Sequence, residues 1–213
     1  MSKKVFIAVA GNIGVGKSSL TQILAKRLGY EPFFEAVEEN PYLADFYADM
    51  SRWSFHSQIF FLARRLEHHH HLLTHPGHVI QDRSIYEDAE IFARNLYQQS
   101  KMTERDYRCY QSLYEGICDF LPPPDVIIYL QSPVGVLVER IARRGRDYER
   151  QISIAYLAEL NDLYDEWATH WTRSPLVTIP TADLDFVHQP SDLEKILSNL
   201  PDPIRALIGQ GNE

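Results

Sequence analysis

The chain has 213 residues, 45% hydrophobic and 23% charged, enough to bury one sizeable core and in keeping with a globular protein. Its formal net charge of −8 speaks against a nucleic-acid polymer as partner, because phosphate backbones select basic faces. No stretch approaches the roughly 18 uncharged apolar residues of a membrane helix, so no membrane partner is expected. Residues 1–4 lead straight into an apolar run, leaving no room for a signal peptide. Cys109 and Cys118 have neither metal-ligand nor disulfide spacing, and the expected compartment is the cytoplasm.

In chain order, short apolar runs alternate with longer amphipathic ones, the pattern of a parallel sheet covered by helices. The first run, 5–10, is a predicted strand. It feeds Gly11-Asn12-Ile13-Gly14-Val15-Gly16-Lys17-Ser18, a full match to the P-loop pattern G-x-x-x-x-G-K-S, which opens a helix over 17–28. A strand at 30–34 and a long helix at 52–74 come next. The His68-His69-His70-His71 run within that helix points in four directions, so it makes no single metal site. A third strand, 78–81, runs into Asp82-Arg83-Ser84 and a helix over 85–98. The helix predicted at 104–120 stops before Pro122-Pro123-Pro124, which cannot continue it. A strand at 126–130, helices at 133–144 and 154–172, and a strand at 176–179 complete the series. Most of the strands are near-continuously apolar, as buried parallel strands are. The expected fold is α/β, a P-loop fold with a five-stranded parallel sheet flanked by helices. Residues 1–213 read as a single domain, with 200–213 predicted to fray.

Within the P-loop the glycines let backbone N–H groups turn inward around a phosphate, and the helix N-terminus adds partial positive charge. Gly11, Asn12, Ile13, Gly14, Val15, Gly16, Lys17, Ser18 and Ser19 are the expected phosphate-binding stretch. Lys17 would reach the β- and γ-phosphates of ATP, and the Ser18 hydroxyl would coordinate Mg²⁺. Glu35 follows the second strand and should project from the carboxyl edge of the sheet, where α/β proteins bind ligands. A carboxylate there can accept the proton of an attacking hydroxyl. Asp82 ends an apolar strand and can hold Mg²⁺ through oxygen ligation. Arg140, Arg143 and Arg144 share one helix face, and Arg146 lies just past the bend offered by Gly145. Such arginines pair well with phosphate oxygens.

Five ordered segments are similar to those of the deoxynucleoside kinase family. They are 11–18, 34–41 (Phe-Glu-Ala-Val-Glu-Glu-Asn-Pro), 52–58 (Arg-Trp-Ser-Phe-His-Ser-Gln), Asp82-Arg83-Ser84 and 140–149, and the resemblance spans residues 4–167. The Glu-Asn-Pro-Tyr and Asp-Arg-Ser-Ile-Tyr-Glu-Asp segments resemble the bacterial deoxyadenosine/deoxyguanosine kinases. One departure is Ala36, where the family's usual Glu-Pro-Val reads Glu35-Ala36-Val37; it should have little consequence, since that proline shapes the loop.

The resemblance implies an ATP- and Mg²⁺-dependent kinase acting on the 5′-hydroxyl of a deoxynucleoside. It makes Glu35 the general base and Arg83 the cation between nucleophile and γ-phosphate, with Lys17 completing the catalytic set. Arg140, Arg144 and Arg146 match a lid that closes over ATP. Gln58, Arg65 and Asp88 match positions that read the base, pointing toward purines or deoxycytidine rather than thymidine. Tyr47 and Glu149 match the pair that holds the sugar 3′-hydroxyl, with the tyrosine ring excluding a 2′-hydroxyl. Trp53 and Phe92 match aromatic wall positions, and both could equally be core residues. A homodimer formed through the long helices and feedback inhibition by a deoxynucleoside triphosphate are implied as well.

Two other readings stay open at this point. A nucleoside monophosphate kinase of the thymidylate type shares the P-loop, the Asp-Arg segment and the arginine lid, but Glu35 would repel the acceptor's own phosphate. A non-catalytic nucleotide-binding subunit is the other. Such relatives typically lack the P-loop lysine or the base, whereas Lys17, Ser18, Glu35, Asp82 and Arg83 are all present here.

Overall fold

Alternation along the first strand decides how the molecule is layered. In the computed structural model, which describes residues 4–35, 39–202 and 205, every residue of β1 (Phe6–Gly11) is buried. Ile7 and Val9 point into one core with Ile80, Ile128 and Leu130, while Phe6, Ala8 and Ala10 point into a second with Val79, Ile127 and Tyr129. Successive strand side chains face opposite ways, so a strand apolar throughout needs cover on both faces. The first core is closed by α1 (Lys17–Leu28), α7 (Val134–Arg144) and α9 (Pro190–Ser198) through Leu20, Leu24, Leu137, Leu193 and Ile196. The second is closed by α3 (Met50–Thr74), α6 (Glu104–Cys118) and α8 (Ile154–His170) through Leu62, Leu72, Tyr110, Leu160 and Tyr164. Each fully buried Leu or Ile contributes on the order of 1.5–3 kcal/mol, so most of the stabilising burial is concentrated at the centre of the sheet.

The five strands are parallel, in the order β2-β3-β1-β4-β5. β2 is Glu31–Phe33, β3 Val79–Asp82, β4 Val126–Gln131 and β5 Leu176–Pro180. Register sets Val9 against Asp82, Gly11 against Leu130, and Phe33 against Gln81. The segments that follow β1, β2 and β3 therefore leave the sheet at one carboxyl edge. The chain departs to opposite sides of β1 there, and that edge is where such sheets bind ligands.

The predicted strands and long helices are all present, with ends within two residues of expectation. The helix over 85–98 is not uniform: α4 (Ile85–Glu87) passes into a π-helical turn, Asp88–Ala93, before α5 (Arg94–Gln98). Such turns cluster at functional sites. α2 (Leu43–Ala48), α9 and a 3₁₀ turn at Asp147–Gln151 were not anticipated, being too short to show a period. In the histidine run His69 is buried, His68 half-buried, and His70 and His71 exposed, as divergent directions require. Ala36, Val37 and most of the tail expected to fray lie outside the described residues. No helix among the described residues is long and apolar enough to cross a membrane.

Candidate active site

The P-loop is shaped by backbone that only glycine accepts comfortably. Gly11 has φ +143°, and a Cβ there would lie 2.6 Å from the Leu130 carbonyl oxygen. Gly16 caps α1 in the left-handed region with no side-chain cap, and the first turn carries no acid. The N–H groups at that end are thus left for an anion, with the dipole behind them. Asn12 is buried, and its amide donates to the Leu157 carbonyl at 2.9 Å and to Asn161 Oδ1 at 2.8 Å, tying the loop to α8. Its side chain anchors the loop and leaves phosphate contact to the backbone. Lys17 Nζ donates to the Asn12 carbonyl at 3.1 Å. Burial, helped by the Arg83 charge, lowers Lys17 to about 8 against the upward pull of Asp82, Glu35 and Glu87.

At the end of β3, Arg83 sits at φ +64°, a conformation that costs a non-glycine residue roughly 1–3 kcal/mol. Arg65 helps offset that cost: its Nη1 donates to the carbonyls of Asp82 and Arg83 at 3.1 and 2.7 Å. The turn aims the Arg83 guanidinium at Glu35, with Nε 2.9 Å from Glu35 Oε1, and lays it over the Phe92 ring at 4.2 Å. Arg65 Nη2 reaches the same Oε1 at 3.1 Å. Burial alone would raise the Glu35 pKa, but Arg83, Arg65 and Lys17 together outweigh it and hold the carboxyl below its ordinary range.

Ser18 Oγ donates to Asp82 Oδ2 at 2.5 Å, while Asp82 Oδ1 is buried without a hydrogen-bond partner among the described residues. One hydroxyl and one carboxylate with an unfilled oxygen fit Mg²⁺, which takes few protein ligands and completes its shell from phosphate and water. No cluster of three or more His, Cys, Asp or Glu able to cage a metal occurs among the described residues.

These groups line one cavity of about 480 Å³ that runs from Gly14, Lys17 and Ser18 past Glu35, Asp82 and Arg83 to Gln58 and Asp88. Gln58 is buried and its Oε1 has no partner among the described residues. Asp88 accepts from Arg65 Nε at 3.0 Å; burial raises its pKa against the pull of Arg65. Arg65, 3% exposed, stands behind the wall as a strut between Asp88, Glu35 and the Arg83 turn. Phe92 lines the cavity, whereas Trp53 stacks on Tyr42 at 5.7 Å outside it. Tyr47 and Glu149 form the side wall, Tyr47 stacked on Tyr148 at 6.2 Å with its hydroxyl pKa pushed well up, by burial first.

The arginines at the end of α7 divide. Arg144 makes a bidentate pair with Glu149, at 3.0 and 2.6 Å, and Arg146 Nη1 lies 3.7 Å from the same carboxylate. Arg140 faces the protein instead. It donates to the carbonyls of Val15, Thr181 and Leu184 at 3.0, 2.8 and 3.3 Å, buttressing the P-loop against the segment after β5. Ser19 is exposed on α1 beside the loop.

Two buried residues escaped the sequence reading. Glu87 accepts from the Gly11 backbone N–H at 3.2 Å, and it also closes a capping box with Ser84. The spacing Ser84-Ile-Tyr-Glu87 was the available signal. Tyr164 is buried between Glu87 and Arg83, and its spacing with Leu157, Leu160 and Trp167 marks it as core. Nothing in the sequence separates it from them.

This geometry can be set beside known proteins. The deoxynucleoside kinase family profile matches residues 7–205. Deoxyadenosine/deoxycytidine kinase of Bacillus subtilis is 40% identical over 200 residues, covering 93% of this chain and 92% of that protein. Deoxyguanosine kinase of the same species is 34% identical, covering 96% of this chain and 100% of its own length. Among solved structures, deoxyadenosine kinase from M. mycoides with bound dATP superposes with a TM-score of 0.80 at 31% identity, over 91% of this chain and 97% of that one. With a P-loop, a carboxylate and two buried arginines meeting at one sheet edge, and with matches of this length, the chain belongs to the deoxynucleoside kinase family.

Proposed function

We propose that the chain, acting as a single domain over 1–213, transfers the γ-phosphate of ATP to the 5′-hydroxyl of a deoxynucleoside, with purine deoxynucleosides preferred. The observation that carries this is the meeting of Glu35 Oε1 with Arg83 Nε at 2.9 Å in the same cavity as Lys17 and Ser18. The P-loop backbone and Lys17 grip the donor phosphates. Glu35 takes the hydroxyl proton as the loose transition state forms. Arg83 offsets charge building between the nucleophile and the γ-phosphate. When bound, Mg²⁺ neutralises donor phosphate charge, and Ser18 and Asp82 are the residues that would hold it. Arg144 and Arg146 exchange part of their pairing with Glu149 for phosphate oxygens, while Arg140 supports the P-loop from behind. Glu149 and Tyr47 hold the 3′-hydroxyl.

Base choice follows from acceptors at the cavity end. Gln58 Oε1 and the Asp88 carboxylate favour bases that carry an exocyclic amino group, which adenine, guanine and cytosine have and thymine lacks. Relatives named for deoxyadenosine, deoxyguanosine and deoxycytidine support the same set. Initial rates at equal concentration should run highest for a purine deoxynucleoside, lower for deoxycytidine and lowest for thymidine. Faster thymidine turnover would overturn the base reading. An acceptor already carrying a 5′-phosphate would set it against Glu35, so deoxyadenosine monophosphate should give no product.

A homodimer in the cytoplasm is part of this proposal. Leu66 and Leu73 on α3, and Leu113 and Phe120 on and beyond the adjacent α6, are exposed at two-turn spacing. Light scattering on the purified protein should return twice the chain mass; a monomer at micromolar concentration would contradict it.

A further inference from the structure

Glu87 is fully buried, and its four hydrogen bonds join three segments of the chain. Oε1 accepts from the backbone N–H of Gly11, where the P-loop begins, at 3.2 Å, and from the Tyr164 hydroxyl at 2.9 Å. Oε2 accepts from the backbone N–H and hydroxyl of Ser84 at 2.7 and 3.1 Å. With its proton directed at Glu87, the Tyr164 oxygen turns a lone pair outward, and Arg83 Nη1 donates to it at 3.0 Å.

We propose that Tyr164 and Glu87 are positioning residues, a relay that fixes the Arg83 guanidinium relative to the start of the P-loop. The inference rests on the reading of Arg83 as the cation of the transfer. A ring face and one carboxylate leave a guanidinium free to swing in its plane, because neither grips the far nitrogens. A hydroxyl acceptor at Nη1 removes that freedom, and its own orientation is set by a carboxylate that also holds Gly11. Donor loop and acceptor-side cation thus share one anchor. Tyr164 itself is held by stacking on Tyr129, with centroids 5.6 Å apart and planes 9° apart.

Tyr164→Phe removes the acceptor and keeps the stack. It should lower kcat by roughly 10- to 100-fold while leaving KM for deoxyadenosine and for ATP within about threefold, the signature of a loss of transition-state stabilisation by Arg83 rather than of ground-state binding. Tyr129→Phe is the control. That hydroxyl is part-buried and donates to Asp165 Oδ1, away from Arg83, so kcat should hold even if Tm falls. Glu87→Gln should reproduce the kcat loss, and the double variant should be no worse than the poorer single one. Wild-type kcat in Tyr164→Phe, an equal loss in Tyr129→Phe, or additive losses in the double variant would each overturn the relay. Arg83→Lys separates the two layers of argument. Normal turnover there would remove the Arg83 reading itself, whereas a crippled Arg83→Lys beside a normal Tyr164→Phe would remove the relay alone.

Discussion

Lys17 is buried where it can lose its charge at accessible pH. Burial and the neighbouring Arg83 hold it at about 8 in the free protein, and a bound triphosphate favours the charged form. Nucleotide binding should therefore take up a fraction of a proton between about pH 8 and 9, and affinity should weaken as pH rises through that window. Calorimetry in two buffers of different ionisation heat measures this; no proton uptake there would contradict the assignment. The Glu35 pKa is lowered as well, but for a carboxyl that favours charge: burial is outweighed by three cations that keep it ionised. If Glu35 is the base, as proposed, it is present above its depressed pKa and lost only as pH falls through it, so kcat/KM should show no acid limb from this group within the ordinary glutamate range. Glu35→Gln should cut kcat by roughly two to four orders of magnitude while leaving ATP binding intact.

At the scale of elements, the P-loop depends on supports that lie outside its motif. Arg140 spans the Val15, Thr181 and Leu184 carbonyls, so Arg140→Ala should cost about 1–3 kcal/mol in denaturant unfolding, as carbonyls lose a charged donor. A purely ligand-facing arginine would leave stability unchanged. Gly11→Ala places a Cβ 2.6 Å from the Leu130 carbonyl at φ +143° and should destabilise the loop still more. The strands and long helices were legible because their apolar runs and periods leave little choice. P-loop, Glu35, Asp82 and Arg83 could be placed together because each lies at or just beyond the end of a strand, and parallel strands deliver their ends to one edge. Arg140 was not, since a helix face says which arginines are neighbours and nothing of what they meet. Tyr164 was not, because a buried hydroxyl shares the spacing of core. The π-turn after Glu87 left no trace in a sequence that reads as continuous helix.

For the molecule as a whole, the acidic balance is compatible with an anionic ligand because the positive charge is concentrated. Lys17, Arg83, Arg144 and Arg146 line one cavity within a chain of net charge −8. Cation and carboxylate alternate along that cavity, which suits a charged donor at one end and a neutral, hydrogen-bonding acceptor at the other. The most direct test is to incubate purified protein with Mg²⁺, ATP and deoxyadenosine and to follow both products by mass spectrometry. Deoxyadenosine 5′-monophosphate should appear in step with ADP, and Glu35→Gln should suppress both. ATP bound or hydrolysed with no phosphate on the sugar, for any deoxynucleoside offered, would contradict the account.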